Sequence, residues 1–134
     1  MSELKFRAWN GFKMIEYFFL NQDGQIFLDS DPHGIDMSNK TSIYPPNYNH
    51  YKIMQFIGLQ DKNGIDIYEG DILHFRPNHD FYNGRVGWSD PYACWIVTCE
   101  KPFYHSYRFN IGPELTSGMS EIIGNIHKNP ELMG

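Results

Sequence analysis

The sequence is poor in cysteine, in charge and in long apolar runs. Two cysteines in 134 residues exclude a disulfide-stapled secreted scaffold. The 16 acidic residues outnumber the 11 basic ones for a net charge of −5, which argues against gripping a phosphate backbone by charge alone. No apolar run is long enough to cross a bilayer, and the first ten residues lack the apolar core of a signal peptide. We therefore expect a cytoplasmic protein with no membrane contact.

Signatures of catalysis, metal binding and cofactor binding are also missing. The six histidines are scattered, with no pair four residues apart and no Cys-x-x-Cys; His74 and the His79-Asp80 pair come nearest to a metal cluster. Cys94 and Cys99 flank an apolar strand, where burial disfavours the reactive thiolate. No phosphate-binding glycine loop occurs. We predict no catalytic residue, no metal ligand and no cofactor, and therefore not an enzyme.

What the chain does contain is short apolar and aromatic stretches between turn signals. Lys5–Trp9 alternates in polarity, and Asn10-Gly11 is a strong hairpin signal because both residues tolerate positive φ. Residues 14–20 and 25–28 follow as further strands. Residues 1–28 are therefore predicted to form an antiparallel meander.

Residues 29–51 differ in composition, with prolines, glycine and scattered polar residues that do not sustain a regular element. We predict a long arm there, and a β core over residues 52–134 with strands at 52–58, 65–68, 72–76, 85–88, 93–99, 103–109 and 121–126. Pro77–Gly84 is interpreted as a polar loop that closes on Asn83-Gly84. Gly70 is expected to adopt positive φ at a turn, and Asn129 to cap a short helix that begins at Pro130.

Three blocks of sequence carry a family resemblance. They are Phe6-Arg7-Ala8-Trp9, the segment Met54–Ile72 (MQFIGLQDKNG continuing to IYEGDI) and the segment Glu121–Leu132 (EIIGNIHKNPEL). In this order and spacing they resemble the YopX family of phage and prophage proteins over nearly the whole chain. One departure is Ile57, which stands where the family usually has threonine before its glycine.

The resemblance implies a mainly β fold, an SH3-like small barrel with additional N-terminal antiparallel strands, in a single domain spanning residues 1–134. It also implies an origin in a bacteriophage or prophage, and hence the cytoplasm of a bacterial host. The family offers no catalytic or ligand-binding residue that could be carried over to this chain.

Aromatic residues make up 16% of the chain and are the one feature with a functional bias. Trp95 lies in an apolar strand and is expected in the core. The candidates for a partner-binding surface are Trp88, Tyr92, Tyr104 and Tyr107, with the core or a subunit interface as the alternative place for these rings. Arg76, Arg85 and Arg108 could add a positive strip, although ordinary surface positions also explain them.

We therefore expect a non-enzymatic accessory protein that binds a macromolecule, in the first place a host or phage protein, and that self-associates as a homo-oligomer. The alternative is a nucleic-acid-binding protein that uses exposed aromatics and a few arginines, which the acidic balance makes the weaker hypothesis. The sequence identifies neither the partner nor the number of subunits.

Overall fold

A computed structural model describes residues 4–9, 11–16, 19–20, 22, 26–27, 52–100 and 106–133. The chain divides into two compact units, one formed by Met1–Phe6 with Met54–Gly134 and the other by Arg7–Ile53. The strands are β1 (Phe6–Trp9), β2 (Met14–Ile15), β3 (Phe19–Leu20), β4 (Ile26–Phe27), β5 (Lys52–Gln60), β6 (Asp66–Tyr68), β7 (Asp71–Phe75), β8 (Tyr82–Ser89), β9 (Cys94–Glu100), β10 (Ser106–Asn110) and β11 (Glu121–Asn125). The predicted arm, residues 29–51, lies outside the described residues.

The smaller unit contains two antiparallel strand pairs. β1 pairs with β2, with Ala8 opposite Ile15, and Gly11 in the connection has a φ of 101°. β3 pairs with β4, with Phe19 opposite Phe27. The additional N-terminal antiparallel strands predicted from the sequence are therefore confirmed.

The larger unit is built on a five-stranded antiparallel sheet in the order β10-β9-β8-β7-β11, which curls into a half-barrel. β7 to β10 follow one another along the chain, and β11 returns to pair with β7 on the other side. β5 and β6 form a further antiparallel pair in this unit, with a register shift between Phe56 and Gln60 at which Gly58 has a φ of 89°. The mainly β fold class is confirmed.

The core of the larger unit lies on the inner face of this sheet. β8 alternates between buried and exposed positions as a half-buried strand should, so Tyr82, Gly84 and Val86 point inward while Asn83 and Arg85 point outward. Nine buried residues form one cluster on this side: Ile57, Ile67, Leu73, Phe75, Tyr82, Val86, Val97, Cys99 and Leu115. This leaves the outer face of β8, β9 and β10 to carry polar and exposed side chains.

Two local expectations were wrong. Asn83-Gly84 does not close a loop, because β8 already begins at Tyr82 and Gly84 pairs with Leu73 inside the sheet. The glycine serves packing instead, since a Cβ there would meet the Val97 side chain and lie 2.7 Å from Cys99 Sγ. Asn129 precedes a single turn of 3-10 helix, Pro130–Leu132, but makes no side-chain cap, and its Oδ1 accepts from the Asn125 amide at 3.2 Å instead.

Gly84→Ala and Gly87→Ala offer a matched test of this packing. Both place one methyl group in β8, but the Cβ at Gly84 meets core side chains, whereas the Cβ at Gly87 has no atom within 4 Å. Overpacking of a core costs about 1–3 kcal/mol. We expect Gly84→Ala to lower the free energy of unfolding by that amount in urea titrations. Gly87→Ala should leave it within about 0.5 kcal/mol, the usual range for surface changes, and equal effects would contradict the packing role.

Candidate functional site

Trp88 and Tyr92 lie at the same end of the five-stranded sheet, around the β8–β9 turn. Trp88 is 48% exposed and Tyr92 is 75% exposed. Trp88 is opposite Trp95 in the register, and the two rings meet edge to face with centroids 5.2 Å apart. Trp95 also packs against the core, as the sequence predicts. Trp95 therefore anchors Trp88 on one side while half of the Trp88 surface faces solvent.

The turn that presents Tyr92 has an unusual backbone. Ala93 has a φ of 50°, a left-handed conformation that costs an alanine about 1 kcal/mol or more, and its amide donates to the Asp90 carbonyl at 3.3 Å. The tight turn leaves the Tyr92 ring outside the sheet. It offers an exposed aromatic side chain at the same end of the sheet as Trp88.

Tyr107 lies elsewhere. It is opposite Cys99 in β9. Cys99 is four residues along β9 from Trp95, the partner of Trp88, and four residues correspond to about 13 Å along a strand. Its ring contacts Tyr82 edge to face at 5.8 Å, and it is 39% exposed. Tyr104 lies outside the described residues. Of the four aromatic residues proposed from the sequence, Trp88 and Tyr92 thus lie around the β8–β9 turn, and Tyr107 lies apart from them.

The outer face carries a row of polar side chains that crosses three strands, on the side of the sheet opposite to the Trp88 ring. Arg85 on β8 and Arg108 on β10 are both opposite Thr98 on β9. Residues opposite one another in an antiparallel sheet point to the same face, and two strand spacings separate the arginines by about 10 Å. We call these three residues the arginine row. Arg76 lies outside it, with its guanidinium 5.0 Å from the centre of the Phe81 ring.

The arginine row borders a shallow cavity of about 390 Å³, the β8–β9 concavity. Its lining residues are Arg85, Gly87, Trp88, Ser89, Asp90, Pro91, Ile96, Thr98 and Arg108. The concavity thus combines the two arginines, the Asp90 carboxylate, the hydroxyl groups of Ser89 and Thr98, and part of Trp88.

A second cavity, of about 370 Å³, borders His74, Phe81, Asn83, Leu132 and other residues. The His74 ring stacks on Phe81 with centroids 5.1 Å apart, and His74 Nδ1 lies 2.8 Å from Asn83 Oδ1. Across the described ranges, no three His, Cys, Asp or Glu residues come together as a metal site would require. Cys94 and Cys99 are free thiols, and Cys99 is buried.

The carboxylates of residues 54–75, which we call the central block, hold the fold together. Asp71 is buried, its Oδ2 accepts from the Tyr68 amide at 2.8 Å, and its Oδ1 accepts from Asn125 Nδ2 at 3.2 Å. Asp66 forms an ion pair with Lys5 Nζ at 2.5 Å and accepts from Gln60 Nε2 at 3.0 Å. These hydrogen bonds and the ion pair give both carboxylates a structural role.

The Lys5 hydrogen bond, with help from Gln60, lowers the pKa of Asp66 below its ordinary value of 3.8. A lowered folded-state pKa means that the pair stabilises the folded protein above pH 3.8, and that this contribution is lost as the pH falls through the folded-state pKa. Both side chains are about one-third exposed, so the contribution is small.

The Lys5→Met variant tests this linkage. We expect it to unfold at lower urea concentration than the parent at neutral pH, by less than about 1 kcal/mol. The difference should shrink as the pH falls below 3.8, since protonation of Asp66 removes the pair from both proteins. Exposed Lys128→Met, away from any carboxylate bond described here, controls for the loss of one charge. A pH-independent difference would contradict the role of Asp66.

Among the described residues, no helix combines the length and apolarity that a membrane crossing needs. The sequence model described as YopX protein matches residues 5–134. Two solved structures are similar over the whole of both chains: protein EF1440 from Enterococcus faecalis, at 24% identity with a TM-score of 0.59, and protein yopX from Bacillus subtilis, at 18% identity with a TM-score of 0.62. At these identities the likeness concerns the fold. No curated protein matches the sequence.

Proposed function

We propose that this chain, which belongs to the YopX family, is a non-enzymatic phage or prophage accessory protein that works by binding another protein in the bacterial cytoplasm. The observation that carries the proposal is the pair of exposed aromatic side chains at the β8–β9 turn, Trp88 and Tyr92, with Arg85 and Arg108 lining the concavity that borders this turn. The proposed binding face consists of Trp88 and Tyr92 at the β8–β9 turn, with Arg85 and Arg108 in the adjoining β8–β9 concavity.

The composition of this face supports a protein partner. Trp, Tyr and Arg are the residue types that contribute most to affinity at protein interfaces, because they bury much area and lose little rotamer freedom. Trp88 is held from behind by Trp95, so docking a partner on its exposed side costs little further ordering. Burying the exposed parts of both rings would remove a substantial apolar area from water.

The non-enzymatic part of the proposal is supported by how the ionisable groups are used. Asp61 and Asp71 are buried, and their carboxylates accept hydrogen bonds from backbone amides. Cys99 is buried in the core. These groups serve the fold, whereas a general base or nucleophile must reach its substrate.

Self-association is the second part of the proposal, and the partner protein can be another copy of this chain. Large aromatic side chains are exposed on the larger unit, including Phe81 at 61% and Tyr92 at 75%. Exposed rings of this kind are suited to a symmetric interface, in which the same patch meets its own copy. Light scattering should then give a mass above that of the monomer, and a clean monomer at high concentration would argue against it.

Site-specific photo-crosslinking tests the proposed binding face. With p-benzoyl-phenylalanine in place of Tyr92, illumination in the bacterium of origin should yield a covalent protein adduct, because the reactive group projects from the face into its partner. Mass spectrometry then identifies the adduct as a second copy or as a different protein.

The matched control places the same group at Asn63. This residue is exposed in the β5–β6 turn, which is bonded to Ser120 and so lies near the Glu121–His74 end of the sheet, opposite the β8–β9 turn. We expect little or no adduct there. Equal adducts at both positions, or none at Tyr92, would count against the face.

The nucleic-acid alternative is favoured by one observation, the two arginines and the half-exposed tryptophan that line the β8–β9 concavity, since phosphates pair with arginine and bases stack on indole. Crosslinking at Tyr92 would then give a nucleotide adduct. Binding would also weaken steeply with salt, because each neutralised phosphate releases counterions.

A further inference from the structure

The two edges of the five-stranded sheet differ in how their backbone groups are used. At the β11 edge the Ile122 amide donates to Asp61 Oδ2 at 3.1 Å. The Asn125 amide donates to Asn129 Oδ1 at 3.2 Å. At the other edge, β10 pairs with β9 on one side only. Within the part of the chain that the structure describes, the β10 edge is therefore the one that can accept a further strand.

The hydrogen-bonding groups of β10 alternate between its two sides. The Ile111 amide, one residue beyond β10, donates to the Trp95 carbonyl of β9 at 3.3 Å. Successive residues of an antiparallel strand direct their N–H and C=O groups to opposite sides, so Phe109 also bonds toward β9. Arg108 and Asn110 direct their groups to the outer side, where no described group bonds to them.

The β10 edge also lacks the features that protect natural sheets from pairing. Such edges usually carry a proline, a bulge or inward-pointing charges. The strand Ser106–Asn110 contains no proline, and its register against β9 is unbroken. Phe109 packs on the core side, and Arg108 is the single charged residue of the strand. The edge thus keeps the geometry of a strand that pairs with another strand.

The sequence of β10 is complementary to itself. When two copies pair antiparallel around a two-fold axis at Phe109, the two Phe109 rings lie opposite each other and Tyr107 lies opposite the partner's Ile111, all on the inner face. Arg108 lies opposite the partner's Asn110 on the outer face. Aromatic pairs and aromatic–β-branched pairs stabilise neighbouring strands. An axis at Arg108 would instead set two like charges opposite each other, which is destabilising.

We infer that two copies of this chain associate by joining their β10 strands into one continuous antiparallel sheet, with the two-fold axis at Phe109. Arg108 exchanges both backbone hydrogen bonds with the partner's Asn110, and these bonds use the groups that β9 leaves unbonded. The inference rests on the self-association part of the proposed function and assigns it a surface. The contact is isologous, so it closes as a dimer.

A proline at residue 110 tests this edge. Because the Asn110 amide points away from β9, Asn110→Pro removes a donor to the partner and none within the chain, and proline is tolerated at such edge positions. The matched control Asn110→Ala keeps the amide. In analytical ultracentrifugation of the full chain, Asn110→Pro should raise the dimer Kd about tenfold or more, since two symmetric hydrogen bonds are lost. Asn110→Ala should change it by less than about threefold.

Nuclear magnetic resonance of the parent protein identifies the interface and its register directly. Amide-proton exchange at Arg108 and Asn110 should slow as the protein concentration rises, because dimerisation bonds both amides. In a dimer of one isotope-labelled and one unlabelled copy, the α-protons of Tyr107 and the partner's Ile111 should give a cross-peak, since non-hydrogen-bonded pairs have Cα atoms about 4.5 Å apart. These measurements decide the question even when Asn110→Pro fails to fold.

The contrary results separate this inference from the proposed function. A dimer in which exchange at Arg108 and Asn110 does not depend on concentration would refute the β10 pairing while self-association stands. A folded Asn110→Pro that dimerises as well as Asn110→Ala would refute it as well. Slowed exchange without the α-proton cross-peak would overturn the axis at Phe109. A clean monomer would refute both the pairing and self-association, and would leave the binding of a different protein to the crosslinking test at Tyr92.

Discussion

The larger unit depends on a buried carboxylate, that of Asp61, which joins two distant parts of the chain. It is 2% exposed. Its Oδ1 accepts from the amides of Asn63 and Ile65, at 2.9 and 3.0 Å, and so closes the β5–β6 turn. Its Oδ2 accepts from the Ile122 amide in β11 at 3.1 Å. Without it, three backbone donors would lose their partner, at a cost of about 1–3 kcal/mol for each that stays buried.

Asp71 repeats this arrangement at the start of β7. Its carboxylate accepts from the Tyr68 amide on one side and from the Asn125 side chain on the other, so it too connects the central block to β11. Gly70 fits between them with a φ of 86°, and a Cβ there would lie 3.4 Å from Asn125 Nδ2. The segments 54–75 and 121–132 are therefore joined through buried carboxylates. These carboxylates accept hydrogen bonds from donors that would pair with backbone carbonyls in a closed sheet.

Local chemistry could be predicted from the sequence where a single residue decides it. Positive φ at Gly70 follows from its place before a strand and beside Asp71, and the strands of the central block follow from their apolar pattern. Asn83-Gly84 shows the limit of prediction from local sequence. An Asn-Gly pair is compatible both with a turn and with a position where two strands pack closely. Only the presence of Val97 and Cys99 opposite Gly84 separates the two cases. Those residues lie more than ten positions away, so no local pattern contains the answer.

The arginine row was beyond prediction for the same reason. Arg85, Thr98 and Arg108 lie on three strands, and only the register of two strand pairs shows that they cross the sheet in line and that Arg76 does not. The register also shows which side chains of β8 point to the core and which point to solvent. Its inward residues, such as Val86, fill the core, and its outward residue Arg85 takes no part in that packing. The polar groups that hold the fold, Asp61 and Asp71, belong to the β5–β7 segment and bond to β11, away from this row. The outer face of β8–β10 can therefore change its charges at little cost to the stability of the sheet.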